Sequence, residues 1–486
     1  MSDMDKLKVM ISFPPLKGRG FPMIRQARQF QWVSIPSHIY PVIPAYAATL
    51  LKNEGFKVLW NDCLAEGWSY GRFLKFIESE RPDMAVFETK APVIKQHWEI
   101  INQLKTCNSK LKTVLMGDHV SAFPEESLNN SMVDYVITGG DYDISLLKLG
   151  RCLRDNEKMP EGIWFRENER IKNTGEPDLS FNLNNLPLIN RELTNFSRYG
   201  EKWKKFSPFA YTMAGRDCWY GKCSFCSWRN LYRDFRVRAP ENLLDEIGFL
   251  IEKHSVREVF DDTGTFPKGE WLAEFCEGMI KKGYNKKIVF SCNMRFDQLN
   301  EKAVKLMKRA GFRKLKLGLE SANQETLDRL NKGLTVDDII QGSIQASKAG
   351  LEVHLTIMVG YPWETREEHL NTLKLAGYLM NKGYANMLQA TVLVPYPGTP
   401  LYYDCLKNDW FKIDSADYDK YDMSYAVLNS EDMDSKEIVD MCNKTYRLFT
   451  SPGYALSQIK RIKSVSDIGY AIRGMKAVFG HLKDFS

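Results

Sequence analysis

The 486-residue sequence predicts an α/β chain in two parts: a doubly wound, Rossmann-like domain, then an incomplete TIM-like barrel, with a helical C-terminal region. Three observations carry this. Residues 1–150 alternate short apolar runs with helical patterns, as a parallel sheet covered on both faces requires. Residues 151–200, rich in Asn, Pro and Glu, interrupt the alternation. From 201 to 405 it restarts through six strand–helix units, enough for an open barrel with its working loops at one face. A chain of this length exceeds one ordinary core.

In order, KLKVMISFPP reads as a first strand ending in a Pro-Pro loop, and IPAYAATLLKNEG as a helix stopped by Gly55. FKVLWND, DMAVFET, KTVLMG and DYVITGG are the next strands. SYGRFLKFIESE, VIKQHWEIINQLKTC, PEESLNN and DYDISLLKLGRCL are the helices among and after them. Residues 151–200 read as a linker with a short hairpin. FSPFAYTMAG, REVFDDT, KIVFSCN, KLKLGLES, EVHLTIMVG and MLQATVLVPY are the six barrel strands. Residues 406–486 are mostly helical, as in EDMDSKEIVDMCNKTYRLF.

Composition narrows the class. Hydrophobic residues make up 44% and charged residues 26%, an ordinary soluble balance. Lys and Arg exceed the acids by only 67 to 61, with no basic run, so nucleic acid is not expected as a partner. No apolar stretch reaches the roughly 20 residues of a membrane helix. The opening MSDMDKLKVMISFPP lacks the apolar core of a signal peptide, and a cytoplasmic location is expected. Seven of the ten cysteines are scattered singly, and most of these read as small buried hydrophobes.

The other three, Cys218, Cys223 and Cys226, stand in AGRDCWYGKCSFCSW, directly after the first barrel strand. Thiolates are soft ligands for iron–sulfur clusters or zinc. Structural zinc wants four ligands, usually in two pairs, and no second C-x-x-C exists here. Three cysteines can hold three irons of a 4Fe-4S cube and leave the fourth iron open to a ligand. A structural metal and a chance grouping stay as lesser alternatives.

The segment resembles the radical S-adenosylmethionine superfamily, whose usual spacing is C-x3-C-x2-C with an aromatic residue before the third cysteine. Phe225 holds that place, but four residues, Trp219 to Lys222, separate the first two cysteines here. Gly221 can absorb the extra residue. The resemblance continues behind each strand and implies the S-adenosylmethionine site. Asp261, Asp262 and Thr263 lie after the second strand, where acceptors would hold an ammonium group. Asn293 and Arg295 follow the third strand, and Glu320 and Ser321 the fourth, near a ribose. Gly360 and Tyr361 follow the fifth, where glycine would admit an adenosyl group.

The first domain lacks G-x-G-x-x-G, which argues against a dinucleotide. It resembles the cobalamin-binding domain of one radical S-adenosylmethionine class. The likeness implies cobalamin contacts at Pro14 and Pro15, at Asp62, Leu64 and Gly67, at Thr89, at Gly117, Asp118 and His119, and at Gly139 and Gly140. Many such domains carry D-x-H-x-x-G, whose His ligates cobalt. Leu64 occupies that position, so cobalamin is expected base-off without a His ligand. His119 alternatively reads as an ordinary hydrogen-bonding loop residue, and the whole domain as a scaffold.

These likenesses imply a cobalamin-dependent methyltransferase that cleaves S-adenosylmethionine reductively and methylates an unactivated carbon or phosphorus of a small-molecule or natural-product substrate. An electron donor such as flavodoxin or ferredoxin is implied as a partner. One alternative keeps both cofactors but performs cyclisation, rearrangement or oxidation without net methylation. Another is a non-enzymatic iron–sulfur electron carrier.

Overall fold

The computed structural model describes residues 7–24, 30–462 and 465–484. The first sheet contains β1 (Lys8–Phe13), β2 (Lys57–Asp62), β3 (Met84–Thr89), β4 (Lys112–Gly117), β5 (Tyr135–Ile137), β6 (Ile163–Glu167) and β7 (Arg170–Asn173), in the order 2-1-3-4-5-6-7. The first five strands are parallel. Their runs are apolar because helices cover both faces, and every residue of β3 is buried. The order reverses between β1 and β3, which opens a crevice at their carboxyl ends. Helices α1 (Val42–Asn53), α2 (Tyr70–Glu80), α3 (Ile94–Cys107), α5 (Pro124–Asn130) and α6 (Tyr142–Asp155) follow the pattern expected from the sequence, while α4 (Asp118–Ala122) is a short helix that the sequence pattern did not indicate.

The segment 151–200 departs from a simple linker. Its hairpin, β6–β7, exists, and β6 pairs antiparallel with β5, extending the first sheet. This edge was hard to foresee because Arg166 and Glu167 of β6 are exposed, giving the run no clean apolar face.

The second sheet has six parallel strands in chain order: β8 (Phe209–Thr212), β9 (Glu258–Asp261), β10 (Val289–Met294), β11 (Phe312–Glu320), β12 (Glu352–Val359) and β13 (Met387–Val392). Among the described residues β8 and β13 are edges, so the sheet is open. Between strands run α7 (Pro240–His254), α8 (Gly269–Lys281), α9 (Glu301–Arg309), α10 (Val336–Lys348) and α11 (Arg366–Asn381). Thr335 and Thr365 start α10 and α11 with capping boxes, each reciprocally bonded to an acid three residues on. After β13 come α12 (Pro400–Lys407), α13 (Ser435–Arg447), α14 (Pro452–Ile459) and α15 (Val465–Asp484).

The two sheets meet across a polar, buried seam. Arg216, after β8, forms a bidentate pair with Asp143 of α6 at 2.7 and 3.3 Å. Arg236 does the same with Asp141 at 2.7 and 2.8 Å. The Tyr232 hydroxyl donates to the Gly140 carbonyl at 3.0 Å. The Phe30 amide donates to the Tyr396 hydroxyl at 3.0 Å. These contacts bring the carboxyl-end loops of the first sheet against the loop that carries the three cysteines.

Candidate functional site

Cys218, Cys223 and Cys226 lie on the loop leaving β8, all half-buried and none in a disulfide. Asp217 and Gly221 take left-handed backbone conformations, with φ of 73° and 59°. Gly221 therefore supplies the turn that the longer first spacing needs. The loop is pinned from several sides. Trp219 Nε1 donates to the Phe266 carbonyl at 3.3 Å and the Tyr220 hydroxyl to the Asn331 carbonyl at 2.7 Å. The Ser224 amide donates to the Leu330 carbonyl at 2.9 Å, and the Leu401 amide to the Ser224 carbonyl at 3.0 Å. Ser227 Oγ donates to Asp118 of the first domain at 3.2 Å.

Cations cover the aromatic residues of this loop. Lys268 sits 3.7 Å from the centre of the Trp219 ring, Arg295 3.9 Å from that of Tyr220, and Lys332 5.7 Å from that of Phe225. Burial pushes the Cys223 thiol up, while Lys332 pulls it down. Burial, then the neighbouring Cys223, pushes Cys226 up. These thiols are therefore protonated at neutral pH until a metal takes the proton's place. Among the described residues no three His, Cys, Asp or Glu side chains converge to hold a single ion. Three separate soft sulfur donors without a fourth suit a multi-iron cluster, one thiolate per iron.

The loops after β9 to β12 place the other barrel residues. Asp261 is fully buried and ties the end of β8 to the loop after β9: it accepts from Thr212 Oγ1 and the Ala214 amide, both at 2.9 Å, and from Thr263 Oγ1 at 2.6 Å. Thr263 in turn accepts from the Gly215 amide at 3.1 Å, and Asn293 Nδ2 donates to the Thr263 carbonyl at 2.8 Å. These three shape the loop that supports Cys218, whose Sγ lies 3.0 Å from Thr265 Oγ1. Asp262 is buried beside them. Arg295 donates to the Lys332 and Gly333 carbonyls at 2.9 and 3.0 Å, which fixes it under Tyr220.

Glu320 has a φ of 61° and accepts from Lys332 Nζ at 2.7 Å. Burial acts against the Lys332 charge, yet Glu320 and Cys223 hold its pKa above the ordinary lysine value. Ser321 Oγ donates to Glu364 at 2.6 Å, and His369 Nδ1 pairs with the other Glu364 oxygen. The Gly360 amide donates to His369 Nε2 at 3.2 Å, which leaves Nδ1 to face Glu364. A side chain on Gly360 would strike Ile438 of α13 at 2.8 Å, so that glycine admits the C-terminal helix. The Tyr361 hydroxyl is buried, with no hydrogen-bond partner among the described residues.

At the carboxyl ends of β1 to β5 the residues sort into three groups. Leu64, with Leu16 and Trp32, packs against the apolar cluster of Ile24, Phe30 and Val93, and Pro14 and Pro15 directly precede Leu16 in the chain. Asp62 caps the following turn at the Ala65 amide, at 3.0 Å, and accepts from the Tyr199 hydroxyl at 2.8 Å; Gly67 closes that turn with a φ of 66°. Polar pairs occupy the second group. Thr89 Oγ1 lies 2.7 Å from His97 Nδ1, and Asp118 pairs with Lys90 at 2.8 Å. His119 Nε2 is 2.9 Å from Glu126 Oε2, with its ring against Tyr418.

The glycines form the third group. A Cβ on Gly117 would meet the Thr89 carbonyl at 2.4 Å, one on Gly139 would meet Pro177 at 2.7 Å, and one on Gly140 the Tyr232 ring at 2.1 Å. Their close approaches are to the protein's own chain. A cleft of about 900 Å³ opens at this edge, lined by Phe123, Trp164, Leu179, Asn230, Tyr232 and Tyr418 among others. Lys332, Lys268 and Tyr418 were not expected from the sequence. Each reaches the site from a segment with no motif, and pairing across long sequence separation leaves no local signal.

Comparison with known proteins bears on the family and the fold. Residues 214–376 match the model of the Radical SAM superfamily. Over 415 residues the chain is 26% identical to an uncharacterized methyltransferase of Pyrococcus horikoshii, covering 84% of this chain and 87% of that one. It is also 26% identical over 428 residues to an anaerobic magnesium-protoporphyrin IX monomethyl ester cyclase of Rubrivivax gelatinosus, covering 84% and 73%. The solved structure of the radical S-adenosylmethionine methyltransferase TsrM from Kitasatospora setae, with cobalamin and a 4Fe-4S cluster bound, superposes with a TM-score of 0.71 at 14% identity, covering 98% and 99%.

Proposed function

We propose, from the premise that this chain is a radical S-adenosylmethionine enzyme, that it is a cobalamin-dependent methyltransferase. The substrate is a small molecule or natural product methylated at an unactivated carbon or at phosphorus. One observation carries the reading. The three-cysteine loop and the apolar patch around Leu64 lie at the carboxyl ends of two adjoining sheets, and the Ser227–Asp118 hydrogen bond ties the two edges together. The TsrM likeness supports a fold of this kind.

When bound, the cluster and S-adenosylmethionine supply a one-electron reductant and an adenosyl radical, and cobalamin supplies the methyl group. The chain's own residues hold and shield. Cys218, Cys223 and Cys226 each ligate one iron, and Phe225 packs beside them. Lys332 and Arg295 place positive charge near the thiolates. Asp262, Glu320, Ser321 and Tyr361 face the S-adenosylmethionine site, while Asp261, Thr263 and Asn293 set the loop behind it. Gly360 keeps β12's loop close to α13.

In the first domain, Pro14, Pro15 and Leu64 would offer apolar surface to the macrocycle of a cobalamin, and Leu64 would offer its cobalt no imidazole. Thr89, Asp118 and His119 line the facing edge; Asp62, Gly67, Gly117, Gly139 and Gly140 hold the loops around it. A one-electron donor such as flavodoxin or ferredoxin would reduce the cluster.

The test is anaerobic purification with iron, sulfide and hydroxocobalamin, then absorption spectra, metal counts and product analysis. One cobalt for every four cluster irons, with S-adenosylhomocysteine and 5′-deoxyadenosine formed on turnover, is expected. A cluster without cobalamin overturns methyl transfer. The similarity to the cyclase favours a second reading, radical chemistry without net methylation. It predicts 5′-deoxyadenosine without S-adenosylhomocysteine.

A further inference from the structure

The exposed apolar surface is concentrated in one place. Among the described residues, six of the twelve large hydrophobic side chains that stand exposed lie between residues 456 and 475: Leu456, Ile459, Ile462, Ile468, Ile472 and Met475. Leu456 and Ile459 are on α14, and Ile468, Ile472 and Met475 on α15. On α15 the spacing of four and three residues puts its three on one stripe. The opposite stripe is docked. Ala477 and Val478 are buried, the Tyr470 hydroxyl bonds Glu352, and Gly480 packs on Ile35. The apolar stripe is therefore additional to the face that holds the helix in place. A soluble surface seldom groups so much aliphatic area without a use for it.

Charge identifies what the stripe faces. The two acids of α15 are both engaged with the protein body: Asp467 pairs with Lys205, and Asp484 accepts from the Ser34 amide at 2.7 Å. Lys460, Arg473 and Lys476 are exposed beside the apolar residues. Aliphatic side chains flanked by exposed cations, with the acids turned inward, suit the interface of an anionic bilayer, where apolar groups enter the headgroup boundary and cations meet phosphates. No helix among the described residues is long and apolar enough to cross a membrane.

We propose that α14 and α15 form a peripheral docking surface for an anionic lipid bilayer. The holoenzyme is sedimented with neutral phosphatidylcholine vesicles and with vesicles containing phosphatidylglycerol, at low and at physiological salt. Binding to the anionic vesicles at least tenfold tighter than to the neutral ones, weakened by salt, is expected. Ile472→Glu with Met475→Glu abolishes it, and Arg473→Glu with Lys476→Glu reduces it at least tenfold. Circular dichroism and iron content stay unchanged in both. Two results overturn the proposal: anionic vesicles bound no better than neutral ones, or a dimer in light scattering that I472E/M475E dissociates while vesicle binding persists. The second assigns the stripe to another copy of the chain.

Discussion

Replacing Arg216 by methionine tests whether the seam between the sheets is held as the geometry indicates. Arg216 is 1% exposed, and its guanidinium spans Asp143, Asp141 and the Gly140 carbonyl. Without it Asp141 keeps both hydrogen bonds from Arg236. Asp143 is fully buried and keeps only its local backbone bond near Ile144. The cost is thus one uncompensated buried carboxylate, ~3–5 kcal/mol. Burial already holds Asp143 above the ordinary carboxylate range despite Arg216, and losing the arginine raises it further. A group whose pKa is higher folded than unfolded stabilises below its unfolded pKa, and that contribution is lost as pH rises through the folded pKa. The defect of R216M therefore grows with pH. Urea unfolding followed by tryptophan fluorescence reads it: a loss of ~3 kcal/mol at about pH 8 and roughly half that near pH 5 is expected. R216M/D143L, which removes both charges, recovers most of the loss. A deficit below ~1 kcal/mol at the higher pH, or a double variant no better than the single, refutes the reasoning.

Cys226→Ala leaves two thiols for three irons, and iron per chain and the cluster's visible absorbance fall several-fold after reconstitution. His97, whose pKa burial lowers to about 3, stabilises the fold above the ordinary histidine pKa. That contribution, up to ~4 kcal/mol, is lost as pH falls toward 3, and thermal melts of His97→Phe across this range show a shallower acid-side decline. Gly140→Ala drives a Cβ into the Tyr232 ring, lowering stability by ~1–3 kcal/mol; adding Tyr232→Ala removes the clash, and a double variant that melts no higher than G140A counts against the contact. Leu64→His puts an imidazole in the apolar patch, and an added nitrogen hyperfine splitting in the cobalt(II) electron paramagnetic spectrum of reconstituted protein is expected; an unchanged spectrum places the metal elsewhere.

What could be read from the sequence was whatever local pattern encodes. The strands of the first sheet and barrel announce themselves as short apolar runs because both faces are covered, as the fully buried β3 shows. The cysteine loop was legible because its spacing and soft ligands are confined to nine residues. β6 was missed as a sheet strand because, although it pairs with both β5 and β7, its run ends in the exposed polar residues Arg166 and Glu167 and shows no clean apolar face. The roles of Asp261 and Gly360 illustrate a different limit. An acid after a strand reads alike whether it meets a ligand or ties its own loop, and the hydrogen bonds from Thr212, Ala214 and Thr263 exist only in three dimensions. Likewise Gly360 satisfies both a positive φ of 90° and the approach of Ile438.

The longer spacing between Cys218 and Cys223 follows from how the loop is held. Trp219 and Tyr220, within the longer interval, are anchored by hydrogen bonds to the loops after β9 and β11 and capped by Lys268 and Arg295. Ser224 joins the loop after β11 to α12, and Ser227 reaches into the first domain. A free loop with one more residue would lose order, since each added residue costs about 1–2 kcal/mol of backbone entropy to fix. Here that cost is met by two aromatic side chains with cation and carbonyl partners, and the turn itself by Gly221 in the left-handed region. The extra residue thus becomes a brace: it lets the loop grip two neighbouring barrel loops between its first and second cysteines, so Cys218 and Cys223 are positioned by the barrel and Cys226 by the seam with the first domain.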